Sequence, residues 1–134
     1  MHSRELAELL LRKACLDEFV VEKLVSDPAS PDEVIGFHTQ QAIEKMLKAV
    51  LALHAVRFGR VHNLGVLLDL LRDRHVPFPG EFEEVRRLTP FAANLRYEDL
   101  PLDLEHPFDR AWAQACVRKV RTWAETVLRE TARG

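Results

Sequence analysis

Glycine is scarce in this chain, at five of 134 residues, and tyrosine occurs once. Valine, isoleucine and threonine do not cluster, and no alternating apolar–polar stretch of useful length occurs. Both absences argue against a sheet-based fold. The two cysteines, Cys15 and Cys116, are too few for a disulfide framework and lack zinc-ligand spacing. An excess of charge is missing as well. Nineteen Lys and Arg stand against twenty-one Asp and Glu, a net charge of −2. A strongly basic nucleic-acid binder and a polybasic membrane-surface protein are thereby excluded, whereas a local basic patch is not. The longest uncharged run, Val34–Ile43, has ten residues, far below the roughly 18 that span a bilayer. The N-terminal MHSRELAELLLRK carries acid within its apolar pattern and lacks a small-residue cleavage site, unlike a secretory leader. The default expectation is a soluble cytoplasmic protein of one domain, 1–134, with no metal site and no cofactor.

What the chain has instead is Leu, Ala, Glu and Arg, all good helix formers. Their spacing predicts five helices. The first covers about Ser3 to Leu24, with Leu6, Leu9, Leu10, Leu16, Phe19, Val20 and Leu24 as its apolar face. The second opens at Ser30-Pro31-Asp32-Glu33, where Ser30 is expected to cap, Pro31 to occupy the first helical position and Glu33 to close a capping box. It is expected to stop at Gly59. A third starts near His62-Asn63 and carries Leu64, Leu67, Leu68 and Leu71. The fourth runs from about Glu81 to Leu95, with a kink or split at Pro90. The fifth runs from about Phe108 to Thr131 and includes Trp112, Cys116 and Trp123 in its stripe. The resulting fold class is an all-α antiparallel bundle. The stripes on helices one, two and five are wide. Either these helices are central, or the protein is an oligomer.

Three stretches carry a family resemblance. Residues 37–50 read FHTQQAIEKMLKAV and resemble the "QQAxEKxLKA" stretch of the HEPN domain family. His62-Asn63-Leu64, followed by Leu67 and Leu68, resembles that family's "H-D-L-x-x-L" helix start, and Leu95-Arg96-Tyr97 resembles its "RYP" element. Asn63 stands for the usual aspartate, Val61 for a threonine and Glu98 for the proline. The resemblance implies a small helical protein, commonly a homodimer. Such proteins are often paired with a minimal nucleotidyltransferase as toxin or partner, and others are implicated in nucleotide binding. Some members are metal-independent ribonucleases that use an Arg-x4–6-His pair.

Arg57 and His62 fit that spacing. Histidine transfers protons near neutral pH, and a guanidinium clamps phosphate oxygens, so RNA cleavage needs no metal in principle. In active members the residue after the arginine is usually polar, and here it is Phe58. Three readings therefore stand side by side: Arg57 and His62 as a catalytic pair, a nucleotide or anion site around Arg57, Arg60, His62 and Asn63, and a structural turn in which His62 caps the third helix. Gln41, Glu44, Lys45 and Lys48 share a side of helix two. With Gln40 they form either a polar groove beside His62, in which Lys45 holds a ligand, or a buried network tying helix two to helix four, or a dimer seam. Arg96 and Tyr97 either stack a base and hold a phosphate or pack a loop onto the bundle. The remaining histidines read as surface or packing residues, and both cysteines as small buried hydrophobes.

Overall fold

The computed structural model describes residues 2–92 and 108–133 of the chain. Helix α1 spans His2–Leu24, α2 Asp32–Leu53, α3 Leu64–Asp73 and α4 Arg110–Arg133, with a 3₁₀ helix over Gly80–Ala92 between α3 and α4. Among the described residues there is no strand, and the fold is all-α. No described helix is long and apolar enough to cross a membrane. Helix α2 is central and packs on α1, α3, the 3₁₀ helix and α4. Its core residues include Ile43, Met46, Leu47, Val50 and Leu51, which meet Leu64, Leu67, Leu68 and Leu71 of α3 and Val117, Val120 and Ala124 of α4 in one apolar cluster.

Helix α1 departs from its expected orientation. Its buried line is Ala7, Ala14 and Val21, at seven-residue spacing. Small residues at that repeat let two helix backbones approach closely along a seam. Of the large residues expected to face the core, Leu10 packs against it and Val20 and Leu24 are half-buried, but the other four are turned to the surface. Leu16 is 65% and Phe19 60% exposed, and Leu6 and Leu9 are also exposed. The wide stripe of α2 thus reflects its central position, and that of α1 is an apolar surface left uncovered. Helices α1 and α4 run antiparallel, because Arg4 donates to the Leu128 carbonyl, Arg121 pairs with Glu18, and Gln114 and Arg118 reach Glu22.

Both ends of helix α2 also differ from expectation. Helix α2 begins at Asp32 after Pro31 without a side-chain cap, and the Ser30 hydroxyl is buried without a partner. The connector before it is held by Arg110, which donates to the carbonyls of Val25, Asp27 and Ser30 and to the Asp32 carboxylate. At its other end α2 stops at Leu53, not Gly59. Ala55 takes a left-handed φ of 57°, its N–H returns to the Ala52 carbonyl, and the Val56 N–H returns to Leu51. Buried Val56 seals this terminus. Helix α3 ends the same way, with His75 at φ 57° and the Val76 N–H on the Leu71 carbonyl. Gly59 has a positive φ too, but inside the Phe58–Val61 turn.

The fourth element is a 3₁₀ helix along its described length, not an α-helix kinked at Pro90. Phe82, Val85 and Leu88 are buried and Phe91 packs against the core, a period of three that lines up along one edge only at three residues per turn. Trp112 and Trp123 pack at the rim of the core, Cys116 is half-buried, and Cys15 is exposed rather than buried.

Candidate functional site

The site is built where two distant stretches of chain meet. Gln40, Glu44 and Lys48 recur at four-residue intervals on α2 and are all buried. The Gln40 amide donates to the Glu44 Oε1 at 2.9 Å and to the His62 carbonyl at 3.0 Å. Lys48 Nζ lies 3.1 Å from Glu44 Oε2. Gln41 donates to the Gln40 side-chain oxygen at 2.7 Å. A carboxylate buried this deeply would be costly alone, and here each of its oxygens has a donor. His62 approaches from the connector, its Nδ1 3.2 Å from both Glu44 oxygens. The His62 side chain is 60% exposed and that of Glu44 only 6%, so the pair links the interior to the surface.

The connector is shaped by its neighbours. The left-handed Ala55 turns the chain out of α2, and Phe58 lays its half-buried ring 5.3 Å from Lys48 Nζ. Phe58 therefore lies against the Lys48 end of the ion pair, which gives the aromatic at this position a packing role. Arg57 and Arg60 are exposed, and among the described residues neither has an ionic or hydrogen-bonding partner. Other arginines are engaged, Arg72 and Arg86 with Asp69 and Glu83, and Arg118 and Arg121 with Glu22 and Glu18.

His62 does not cap α3. Asn63 accepts from the Val66 N–H at 3.2 Å, and Thr89 of the 3₁₀ helix accepts from the Leu64 N–H at 3.2 Å. The Arg86 guanidinium lies over Gly65, where an added Cβ would strike it. The first turn of α3 is thus occupied by Asn63, Thr89 and Arg86, and the exposed side chains of Arg57, Arg60 and His62 lie outside it on the connector.

Lys45 is not brought to His62. Its ammonium lies 2.5 Å from Asp17 of α1, whose other oxygen is 2.9 Å from His38 Nδ1. Lys45 belongs to an α1–α2 clamp on the far flank of the same helix face. Arg96 and Tyr97 lie outside the described residues. Neither thiol is an activated nucleophile. Burial, followed by the Glu18 carboxylate, raises Cys15, and burial pushes Cys116 up to about 11.

The HEPN domain family model matches residues 7–130. The chain belongs to the HEPN domain family. No curated protein and no solved structure matches the chain. The family gives the site its coherence. Gln40, Glu44 and Lys48 come from the "QQAxEKxLKA" stretch and His62 from the "H-D-L" start, and tertiary folding makes them one hydrogen-bonded unit. Gln40 and Glu44, singled out by spacing, are buried as one reading expected, but among the described residues the network they form reaches His62 of the connector and not the fourth helix. The available signal was the co-occurrence of the two motifs, since a buried Gln, Glu and Lys at four-residue intervals need a polar group opposite.

Proposed function

We propose that this HEPN protein binds a phosphate-bearing ligand, RNA or a nucleotide, at the Arg57–His62 turn. The observation that carries this reading is the pair of exposed, partnerless guanidiniums of Arg57 and Arg60 on one short connector beside His62. Most other described arginines are matched with acids, and these two are set apart by lying together on one connector beside His62, where they retain charge for an external anion. The test is salt-dependent binding of a single-stranded RNA, followed by fluorescence anisotropy. Two neutralised phosphates give a slope of log K against log salt near −1.4, since each contributes about −0.7 on single strands. Raising salt fourfold should then weaken binding roughly sevenfold. Arg57→Ala with Arg60→Ala should remove most of that slope, and an unchanged slope would refute the assignment.

A second reading, metal-independent ribonuclease, is favoured by the Glu44–His62 contact. His62 would take the 2′-OH proton as that oxygen attacks phosphorus. The bond from phosphorus to the 5′ oxygen would break, and the proton would finish on that leaving oxygen. The products are a 2′,3′-cyclic phosphate and a 5′-hydroxyl. Arg57 would hold the charged phosphorane. Cleavage that survives Arg57→Ala with His62→Ala would remove this pair from the mechanism.

The exposed Leu6, Leu9, Leu16 and Phe19 of α1 support a homodimer. Light scattering should give twice 15.4 kDa, and Leu16→Lys with Phe19→Lys should return a monomer. The family resemblance supports a minimal nucleotidyltransferase as cytoplasmic partner in a toxin–antitoxin pair. Co-expression of such a protein from an adjacent gene should yield a complex stable at moderate salt, and failure to co-purify would count against the pairing.

A further inference from the structure

We infer that Glu44 is a positioning residue for His62: it holds the imidazole with its proton on Nδ1, so that Nε2 offers an acceptor lone pair to a ligand hydroxyl, and the turn thereby selects ribose over sugars lacking a free 2′-hydroxyl. The inference rests on the phosphate-binding reading for its ligand and on the Glu44–His62 geometry for its mechanism.

The Glu44 carboxylate, paired with Lys48, presents acceptors only. A ring nitrogen 3.2 Å from both of its oxygens must therefore be the one that carries hydrogen. In a neutral imidazole the other nitrogen is then an acceptor. Nε2 has no partner among the described residues, and the ring is mostly in solvent. Gln40 makes the arrangement stiff, because one amide donates both to Glu44 and to the His62 carbonyl. Side chain and backbone of His62 are thus tied to the same two residues of α2. Asn63 and Thr89 supply the helix cap, so the His62 ring is not needed for that task. The outward face of the turn then combines two cations with one acceptor. The ligand chemistry that matches is a phosphate with a hydroxyl donor close by, which in nucleic acid is the ribose 2′-OH.

The first test uses the free protein and needs no ligand. Nitrogen-15 NMR of histidine-labelled protein, at a pH where the ring is neutral, should show His62 protonated at Nδ1 and bare at Nε2, with His62→Asn assigning the signal. Glu44→Gln should disturb that preference, since an amide can either donate or accept. Should Glu44→Gln fold poorly, Glu44→Gln with Lys48→Met removes both buried charges together. An Nε2-protonated ring in the unmodified protein, or a tautomer indifferent to both variants, would overturn the positioning role. The second test compares RNA with its 2′-O-methyl counterpart of the same sequence. Several-fold tighter RNA binding is expected, falling toward equality in Glu44→Gln, while Arg57→Ala weakens both ligands alike. Equal affinity in the unmodified protein overturns the ribose selection. Absence of binding by either ligand overturns the phosphate reading and the selection together, while the tautomer result still decides the role of Glu44.

Discussion

Replacing Ala55 with glycine should make this protein more stable. Ala55 sits at φ 57° immediately after α2 and sends the chain into the Arg57–His62 turn. A left-handed backbone costs a residue with a Cβ about 1–2 kcal/mol. The wider conformational freedom of glycine in the unfolded chain offsets about 0.5–1 kcal/mol of that. The balance is a gain of about 0.5–1 kcal/mol. No hydrogen bond is lost, because the Ala55 and Val56 N–H groups still reach Ala52 and Leu51. With an unfolding entropy near 2.1 cal/mol/K per residue over 134 residues, the melting temperature should rise about 2–4 °C. His75 offers an internal replicate, with the same φ, the same terminal hydrogen bonds and an exposed side chain. His75→Gly should give a similar gain, and the double variant roughly the sum. The assay is thermal unfolding followed by circular dichroism, with RNA binding measured in parallel and expected to stay unchanged. A lower melting temperature for either single variant would refute the reasoning, because strain relief is the only favourable contribution invoked.

Four further outcomes follow from the packing. Glu44→Ala leaves the Lys48 ammonium buried without its acid and should cost about 3–5 kcal/mol in urea unfolding, most of it recovered by adding Lys48→Met; a loss below 1 kcal/mol would contradict the buried pair. Arg110→Ala removes the donors to the Val25, Asp27 and Ser30 carbonyls and should cost about 2–3 kcal/mol; a neutral effect would mean that the α1–α2 connector does not depend on them. Gly36→Ala, a replacement that ordinarily favours a helix, should destabilise by about 1–3 kcal/mol because the new Cβ runs into the Phe91 ring; a higher melting temperature would place Phe91 elsewhere. Iodoacetamide at pH 8 should modify exposed Cys15 before half-buried Cys116, whose thiol, pushed up to about 11, is only about one part in a thousand ionised; the reverse order in a mass-spectrometric time course would refute this.

Local signals in the chain determined a good deal. Leu, Ala, Glu and Arg at helical spacing fixed the number and order of helices, because periodicity is a property of neighbours in sequence. The run from Phe82 to Phe91 even carried its 3₁₀ character in a strict period of three, a signal that the proline at 90 overshadowed. Residues 37–50 and His62-Asn63-Leu64 together sufficed to indicate the HEPN family. Tertiary structure alone decided which side of α1 is buried. The periodicity of Leu6, Leu9, Leu16 and Phe19 marks an apolar face but does not state what it meets, and the close seam of Ala7, Ala14 and Val21 against α2 turned that face outward. Helix ends were likewise decided by return hydrogen bonds and by burial of Val56 and Val76, which outweighed the cost of left-handed Ala55 and His75 and made Gly59 a poor marker. The site shows the same division. Arg57, Arg60 and His62 were legible from spacing and chemistry, whereas the attachment of His62 to Glu44, eighteen residues away in sequence, arises only when the connector folds back onto α2. Lys45 shares a helix face with Glu44 yet serves Asp17, because a helix face is wide enough to meet two different neighbours, and only the packed bundle assigns each side chain to one of them.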